Sequence, residues 1–458
     1  MTTSPVRGLW GSRLGFILAA AGSAVGLGNI WGFPTRVGQG GGAVFVVIYL
    51  FCIVLICAPI LVAEFVLGRG SRQSPVGAFK YFSSGTRWWW VGALGVVTSV
   101  AIVAFYSVIG GWTIGYVWYS ATGALSSGGE GAGDFFTRFT GNGFKGVFCT
   151  FLFLGLAAAS NIGGVRTGIE RVAKTLMPAL LVLLVLLAVR SLTLPGAAEG
   201  LAYYMRPDLS QAFNMSVFGA ALGQAFFSLS LGNGAMLTYG SYLRRSEGIG
   251  RVVLWVVLLD TFIALLAGLI IFPAGFSIAG FDPASTGPGL IFAVLPELFA
   301  TLVGGRLFGG AFFVLLVIAA LTSAISLLEV PVAHVIDRRQ WSRPKAVLVV
   351  SGSAFLLSIP CALGFGAVGS LTDFVPAQWG GNFLGLVATL CNNFSLPIGG
   401  MLIAIFVGYV WRVDRAVAEL LAEHAWFPAP RLWGLLIRYV SPLGISIILV
   451  ISMLAVIM

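Results

Sequence analysis

Long apolar runs separated by short polar connections recur along the whole chain. As helices, such runs are long enough to cross a hydrocarbon layer ~30 Å thick. Eleven lie near 14–37, 43–69, 90–122, 144–160, 167–190, 213–242, 251–275, 306–336, 345–365, 381–411 and 434–457. Their apolar residues are continuous, whereas strands closing into a barrel would alternate. The pattern predicts an all-α polytopic membrane protein with eleven transmembrane helices in a single domain over 1–458.

Two of the runs are interrupted in the same way. GSAVGLGNIWGFP, residues 22–34, puts four glycines, an asparagine and a proline inside the first. FFSLSLGNGAML, residues 226–237, puts glycines and polar residues inside the sixth. Glycine and proline are poor helix formers, and backbone groups freed in a bilayer find no water. Glycines that merely allow close helix packing explain isolated small-residue spacings. They do not explain an asparagine beside a glycine-rich break, twice, in corresponding spans. The pattern predicts 5+5 inverted repeats, about 10–190 and 212–411, with broken spans 1 and 6 and an extra C-terminal span at about 434–457. Such folds hold their ligands at the midplane, where half-helix ends offer N–H groups to an anion and unwound carbonyls hold a cation.

Composition agrees. Of 458 residues, 58% are hydrophobic and 9% charged, and mean hydropathy is +0.98; a soluble domain would be about one quarter charged. The net charge of +10 could suggest nucleic acid. With the N-terminus inside, however, 20 of the 26 Lys and Arg residues fall at cytoplasmic helix ends. This is the positive-inside bias of a membrane protein, so no nucleic-acid partner is expected. The cysteines at 52, 57, 149, 361 and 391 all fall in expected spans without metal or redox spacing, which predicts free thiols. The start of the chain lacks a short apolar core followed by a cleavage site, so the first span is expected to be retained. His334 and His424 do not face each other across the membrane, which argues against a haem carrier.

The motifs then converge. WGSRLGFILAAAGSAVGLGNIWGFP, the following QGGGA and AEFVLGR resemble the opening of the neurotransmitter:sodium symporter family. GIERVAKTLMP resembles its fifth span, GQAFFSLSLGNGAMLTYGSY its sixth and AALTSAISLLEVPVAHVID its eighth. The resemblance covers nearly the whole chain, and the eleven-span count is similar to bacterial members. It implies the LeuT-type fold, a bacterial inner-membrane location with a cytoplasmic N-terminus, and sodium-coupled import by alternating access. It does not decide between a monomer and a homodimer. The expected substrate is a small zwitterion: a small or polar amino acid first, a β- or ω-amino acid or taurine-like molecule second.

Two sodium sites are implied. One uses the carbonyls of Gly22, Val25 and Ala319 with the hydroxyls of Thr322 and Ser323, five oxygens around a small hard cation. The other uses the Ala24 carbonyl, Asn29, Ser228 and Asp260. The family often has asparagine where this chain has Asp260, deep in LLDTFIALLAGL. Intramembrane carboxylates are costly and usually functional. A fixed negative charge there replaces the chloride of eukaryotic relatives, so chloride-independent transport is expected. Tyr49, Gln224 and Ser228 are expected to hydrogen-bond around Asp260. Glu64 is expected to accept N–H groups from the unwound part of span 6.

For the substrate, the resemblance implies that its carboxylate meets the Leu27 and Gly28 amides and the Tyr106 hydroxyl. Its ammonium meets the carbonyls of Ala24, Phe227 and Ser228 and the Ser230 hydroxyl. The side-chain pocket is Gly26, Ile102, Phe227, Asn233, Ser323 and Leu327. Asn233 either binds a polar substrate tail or caps the broken helix. At the outer gate this chain departs from the family, with Gly32 for the usual Arg and Ala388 for the usual Asp. One charge left alone there would be costly, so loss of both is consistent, and closure by packing of Phe227 and Tyr106 is expected. Asp373 is a candidate replacement acid. The inner gate is expected to use Arg7, Trp10, Tyr242, Glu329 and Asp337, and Gly168 with Pro178 to let span 5 unwind. A channel would show a polar stripe along several spans, and a membrane enzyme a nucleophile–base pair or metal cluster; neither is visible. A sensor that kept the fold and lost transport is the remaining rival.

Overall fold

The computed structural model describes residues 8–123, 131–278, 281–283, 290–301, 304–424 and 426–457. Among them, nine helices are long and apolar enough to cross a membrane, or ten if the bent pair at the start is one span. The pair is α1 (Arg13–Ala24) and α2 (Gly28–Gln39), bent by 50°. The others that follow are α3 (Ala43–Ser71), α4 (Trp89–Thr122), α5 (Gly143–Ile162) and α6 (Val165–Ser191). The run at 213–242 forms two short helices, α7 (Met215–Ser228) and α8 (Ala235–Gly240), each too short to span alone. Then come α9 (Ile249–Gly275), α10 (Gly305–Arg339), α11 (Arg343–Leu363), α12 (Phe383–Val410) and α13 (Pro430–Leu454).

Both interruptions lie where glycine and polar residues replace the apolar run. At the end of α1, Val25 turns extended (φ −76°, ψ 107°), and its N–H closes the last turn on the Ala21 carbonyl. Between α7 and α8, Ser230, Gly232 and Gly234 adopt φ of 52°, 81° and 80°. This is the left-handed region that glycine enters freely and serine rarely. The unwound backbone is not left bare. Glu64, fully buried in α3, accepts the Gly232 N–H at 2.8 Å and the Leu237 N–H at 3.2 Å. A buried carboxylate and two orphaned amides thus satisfy one another.

α4 and α10 pack along each other, α1 lies against α6, α9 and α10, and α8 against α3. Large apolar side chains on the outside, such as Val182, Val185, Leu186 and Val189 of α6, are exposed. In water this would be a liability; in a bilayer it is the lipid-facing coat. The two breaks are thereby enclosed by α3, α4, α9 and α10.

Candidate functional site

The cation-type oxygens expected between the first and eighth spans come together. Ser323 Oγ lies 3.3 Å from the Gly22 carbonyl, 3.2 Å from that of Ser23 and 3.2 Å from that of Val25. Thr322 Oγ1 bonds the Ala319 and Ile318 carbonyls of its own helix at 3.0 and 3.1 Å, and its Cβ lies beside Gly22. Each hydroxyl has one hydrogen and so can serve one acceptor at a time. Several carbonyl oxygens therefore converge with fewer protons than they can accept, a donor set that suits a small hard cation. Ser23, which sequence reasoning passed over, joins this cluster and hydrogen-bonds Ser326 through its hydroxyl at 2.6 Å.

The second set also assembles, in part. The Asn29 amide nitrogen donates to Asp260 Oδ1 at 2.7 Å, and Ser228 Oγ lies 2.8 and 2.9 Å from the two Asp260 oxygens. Tyr49 OH is 3.4 Å from Asp260 Oδ2. The carboxylate is thus held by three uncharged donors in a fully buried position, where a bare charge would be costly. Asn29 Oδ1 accepts the Gly26 N–H at 3.1 Å, which fixes the break around it. Ala24 lies on the neighbouring cavity wall. The expectation for Gln224 is corrected: it donates to the Gly28 carbonyl at 2.7 Å, at the start of α2, rather than to Asp260. The same carbonyl also accepts the Phe33 N–H, so Gln224 adds a second donor to a carbonyl that has two lone pairs.

Between the breaks is a tight cavity of about 20 Å³. It is lined by every expected substrate residue except Leu27 and Ser228, together with Ser23 and Leu396, which were not anticipated. Leu396 lies in α12, where a glycine- and polar-rich extension obscured the register. Gly26 and Gly28 are fixed by crowding. A Cβ at Gly26 would stand 2.6 Å from both Ser323 Oγ and Tyr106 OH, and one at Gly28 2.7 Å from the Phe227 ring. The Leu27 N–H donates to Tyr106 OH at 3.0 Å, and Ser230 Oγ donates to the Ser23 carbonyl at 2.8 Å, tying the two breaks together. Asn233 Oδ1 accepts the Ala235 N–H at 2.8 Å, so it caps α8 while its residue also lines the cavity.

Tyr106, Phe227 and Gly28 also form the floor of a larger cavity of about 410 Å³. Gly32 and Ala388 both line it, as their pairing at the outer gate requires. Among the described residues, its one charged lining side chain is Arg36, and Asp373 is exposed and not part of it. On the opposite side, Arg7 lies outside the described residues. Trp10 donates its indole N–H to the Tyr239 carbonyl at 3.1 Å and its backbone N–H to the Tyr242 carbonyl at 3.3 Å. Tyr242 OH donates to Glu329 Oε1 at 2.6 Å, and Glu329 also pairs with Arg343. Arg343 was read only as a basic helix end, since no sequence rule links it to an acid on the preceding helix. Asp337 accepts the Ser74 N–H at 2.7 Å.

This geometry can be set beside known proteins. The sodium:neurotransmitter symporter family model matches residues 7–129 and 146–457. The chain is 37% identical to the sodium-dependent transporter YhdH of Bacillus subtilis over 96% of each chain. It is 28% identical to the sodium-dependent serotonin transporter of Drosophila melanogaster over 98% of this chain and 77% of that one. The crystal structure of MhsT in complex with L-phenylalanine superposes with a TM-score of 0.89 at 43% identity, covering 98% of this chain and all of that one. The chain belongs to the sodium:neurotransmitter symporter family and has its LeuT-type fold.

Proposed function

We propose that this symporter imports a small or polar amino acid together with sodium by alternating access, without chloride, through a bacterial inner membrane. In this reading the N-terminus is cytoplasmic, and two inverted five-span repeats, about 10–190 and 212–411, enclose the site. The observation that carries the reading is the pair of facing helix breaks, tied by Ser230 and the Ser23 carbonyl, with converging oxygens on both sides. One sodium is bound by Gly22, Val25, Ala319, Thr322 and Ser323. The other is bound by Ala24, Asn29, Ser228 and Asp260, where Asn29 turns its amide oxygen from Gly26 toward the cation. The substrate carboxylate takes the Leu27 and Gly28 amides and Tyr106, and the ammonium takes the carbonyls of Ala24, Phe227 and Ser228. Each ligand completes the other's site, so their couplings are reciprocal. A charge moving inward along the membrane potential contributes about 2.3 kcal/mol per 100 mV.

The Asn233 amide beside the central cavity supports a polar substrate. The missing outer ion pair favours the second reading, a β- or ω-amino acid or a taurine-like zwitterion. The larger cavity supports an outward-facing arrangement, with Phe227 and Tyr106 closing over the substrate and Trp10, Tyr242, Glu329 and Arg343 holding the other side shut. The test is uptake into proteoliposomes under an inward sodium gradient, with chloride or gluconate. The panel contains glycine, alanine, serine, β-alanine, taurine and L-phenylalanine. Sodium-driven accumulation of a small or polar amino acid, equal in both anions, is expected. Accumulation of taurine or β-alanine alone selects the second reading; accumulation of none under any gradient overturns transport.

A further inference from the structure

One buried carboxylate has no part in this scheme. Glu170 begins the regular part of α6, and its side chain is 2% exposed. Its Oε2 accepts the Gly11 N–H at 2.6 Å, and its Oε1 accepts the Ser12 hydroxyl at 2.9 Å. Ser12 is the N-cap of α1, accepting the Gly15 N–H at 3.0 Å, so one hydroxyl starts that helix and binds it to α6. Lys174, one turn along, lies 2.6 Å from Oε1 and balances the charge. The fit is close: a Cβ at Gly15 would stand 2.2 Å from Oε1. Such a side chain would push the carboxylate out.

The contact acts at the far end of a lever. α1 runs from its N-cap Ser12 to the unwound segment, about 14 Å from Arg13 to Gly22 at 1.5 Å per residue. At its other end Gly22 packs on Met177 of the same α6 and on Thr322. On the opposite flank α1 is held toward α8 by Trp10. The chain entering α6 passes through Gly164 at φ 78° and a widened turn over Val165–Ile169, so the base of α6 joins α5 through irregular backbone.

We propose that Glu170 is a positioning residue that latches α1 against α6 and holds the sodium-binding carbonyls of Gly22 and Val25 in place until the latch opens. Charge-assisted hydrogen bonds are strong when formed, and a buried carboxylate stripped of its donors is costly. The latch therefore has two states, engaged or rehydrated, and little between. Its release lets α1 swing from α6 and exposes the sodium to the side that carries the N-terminus.

The inference rests on the alternating-access reading, but its test needs neither substrate nor gradient. Hydrogen–deuterium exchange is followed in the full-length transporter in lipid nanodiscs, with and without sodium. The variants are Glu170→Gln and Lys174→Gln. Amides of residues 11–24 are expected to exchange roughly ten-fold faster in Glu170→Gln, the factor for losing one charged hydrogen-bonded contact. Lys174→Gln shows a smaller rise in the same peptide. Peptides of α4 are unchanged, and the sodium half-saturation of Glu170→Gln rises. Exchange over 11–24 within two-fold of the parent, or acceleration spread evenly through the protein, overturns the latch. If Glu170→Gln fails to fold, Gly15→Ala displaces the same carboxylate and is read in the same way. Failed uptake with accelerated exchange rejects transport alone; intact uptake with unchanged exchange rejects the latch alone.

Discussion

At the scale of single residues, the decisive feature is Asp260 with its three donors, Asn29, Ser228 and Tyr49. Neutralising it leaves those donors converging on a place without charge. Asp260→Asn is expected to lose uptake in gluconate and to regain part of it in chloride; equal, parent-like uptake in both anions would count against the charge-replacement role. Thr322→Ala removes one hydroxyl from a five-oxygen set and should raise the sodium half-saturation roughly ten-fold. The measurement is uptake against sodium concentration, and an unchanged curve contradicts the assignment. Much at this scale was legible, because serine, threonine, asparagine and aspartate stand out in a lipid-soluble sequence. Gln224, Arg343 and Glu170 were misread or missed for one reason. Apart from the Lys174 that follows Glu170 one turn along its own helix, their partners lie elsewhere in the chain, so only the three-dimensional arrangement decides which group each one reaches.

At the scale of elements, the two interruptions were visible as glycine clusters with asparagine, and the structure breaks the helices there. What the sequence could not fix was how far each break extends. The run at 213–242 reads as one span, yet only Met215–Ser228 and Ala235–Gly240 are helical. The unwound turn between them depends on Glu64 from α3. Glu64→Ala leaves the Gly232 and Leu237 amides without acceptors, at a cost of about 1–3 kcal/mol each. Thermal unfolding in detergent should show a clear fall in midpoint, and Glu64→Gln, which keeps one acceptor, a smaller one. Equal midpoints for parent and Glu64→Ala would contradict the scaffold role. The register of α12 was the hardest element to read, because GFGAVGSLTDFVPAQWGGNF precedes it without a clear start. Even so, Ala388 and Gly32 line the same cavity.

At the scale of the whole molecule, the fold class follows from eleven long apolar runs and a basic bias toward one set of helix ends. The cavities between the helices do not, since they depend on packing angles that no linear pattern records. The larger cavity is lined by Phe105, Phe365, Leu384 and Trp31 beside the Phe227 and Tyr106 floor, with neither Arg at 32 nor Asp at 388. Closing it over a substrate brings these rings and aliphatic groups into contact, with no interhelical ion pair to form. Apolar surface leaving water lowers heat capacity. Titration calorimetry over a range of temperatures should therefore give a binding enthalpy that becomes steadily more negative on warming. The affinity should change little as inert salt is added at fixed sodium, because Arg36 is the one charged side chain among the described lining residues and no acid of that lining meets it on closure.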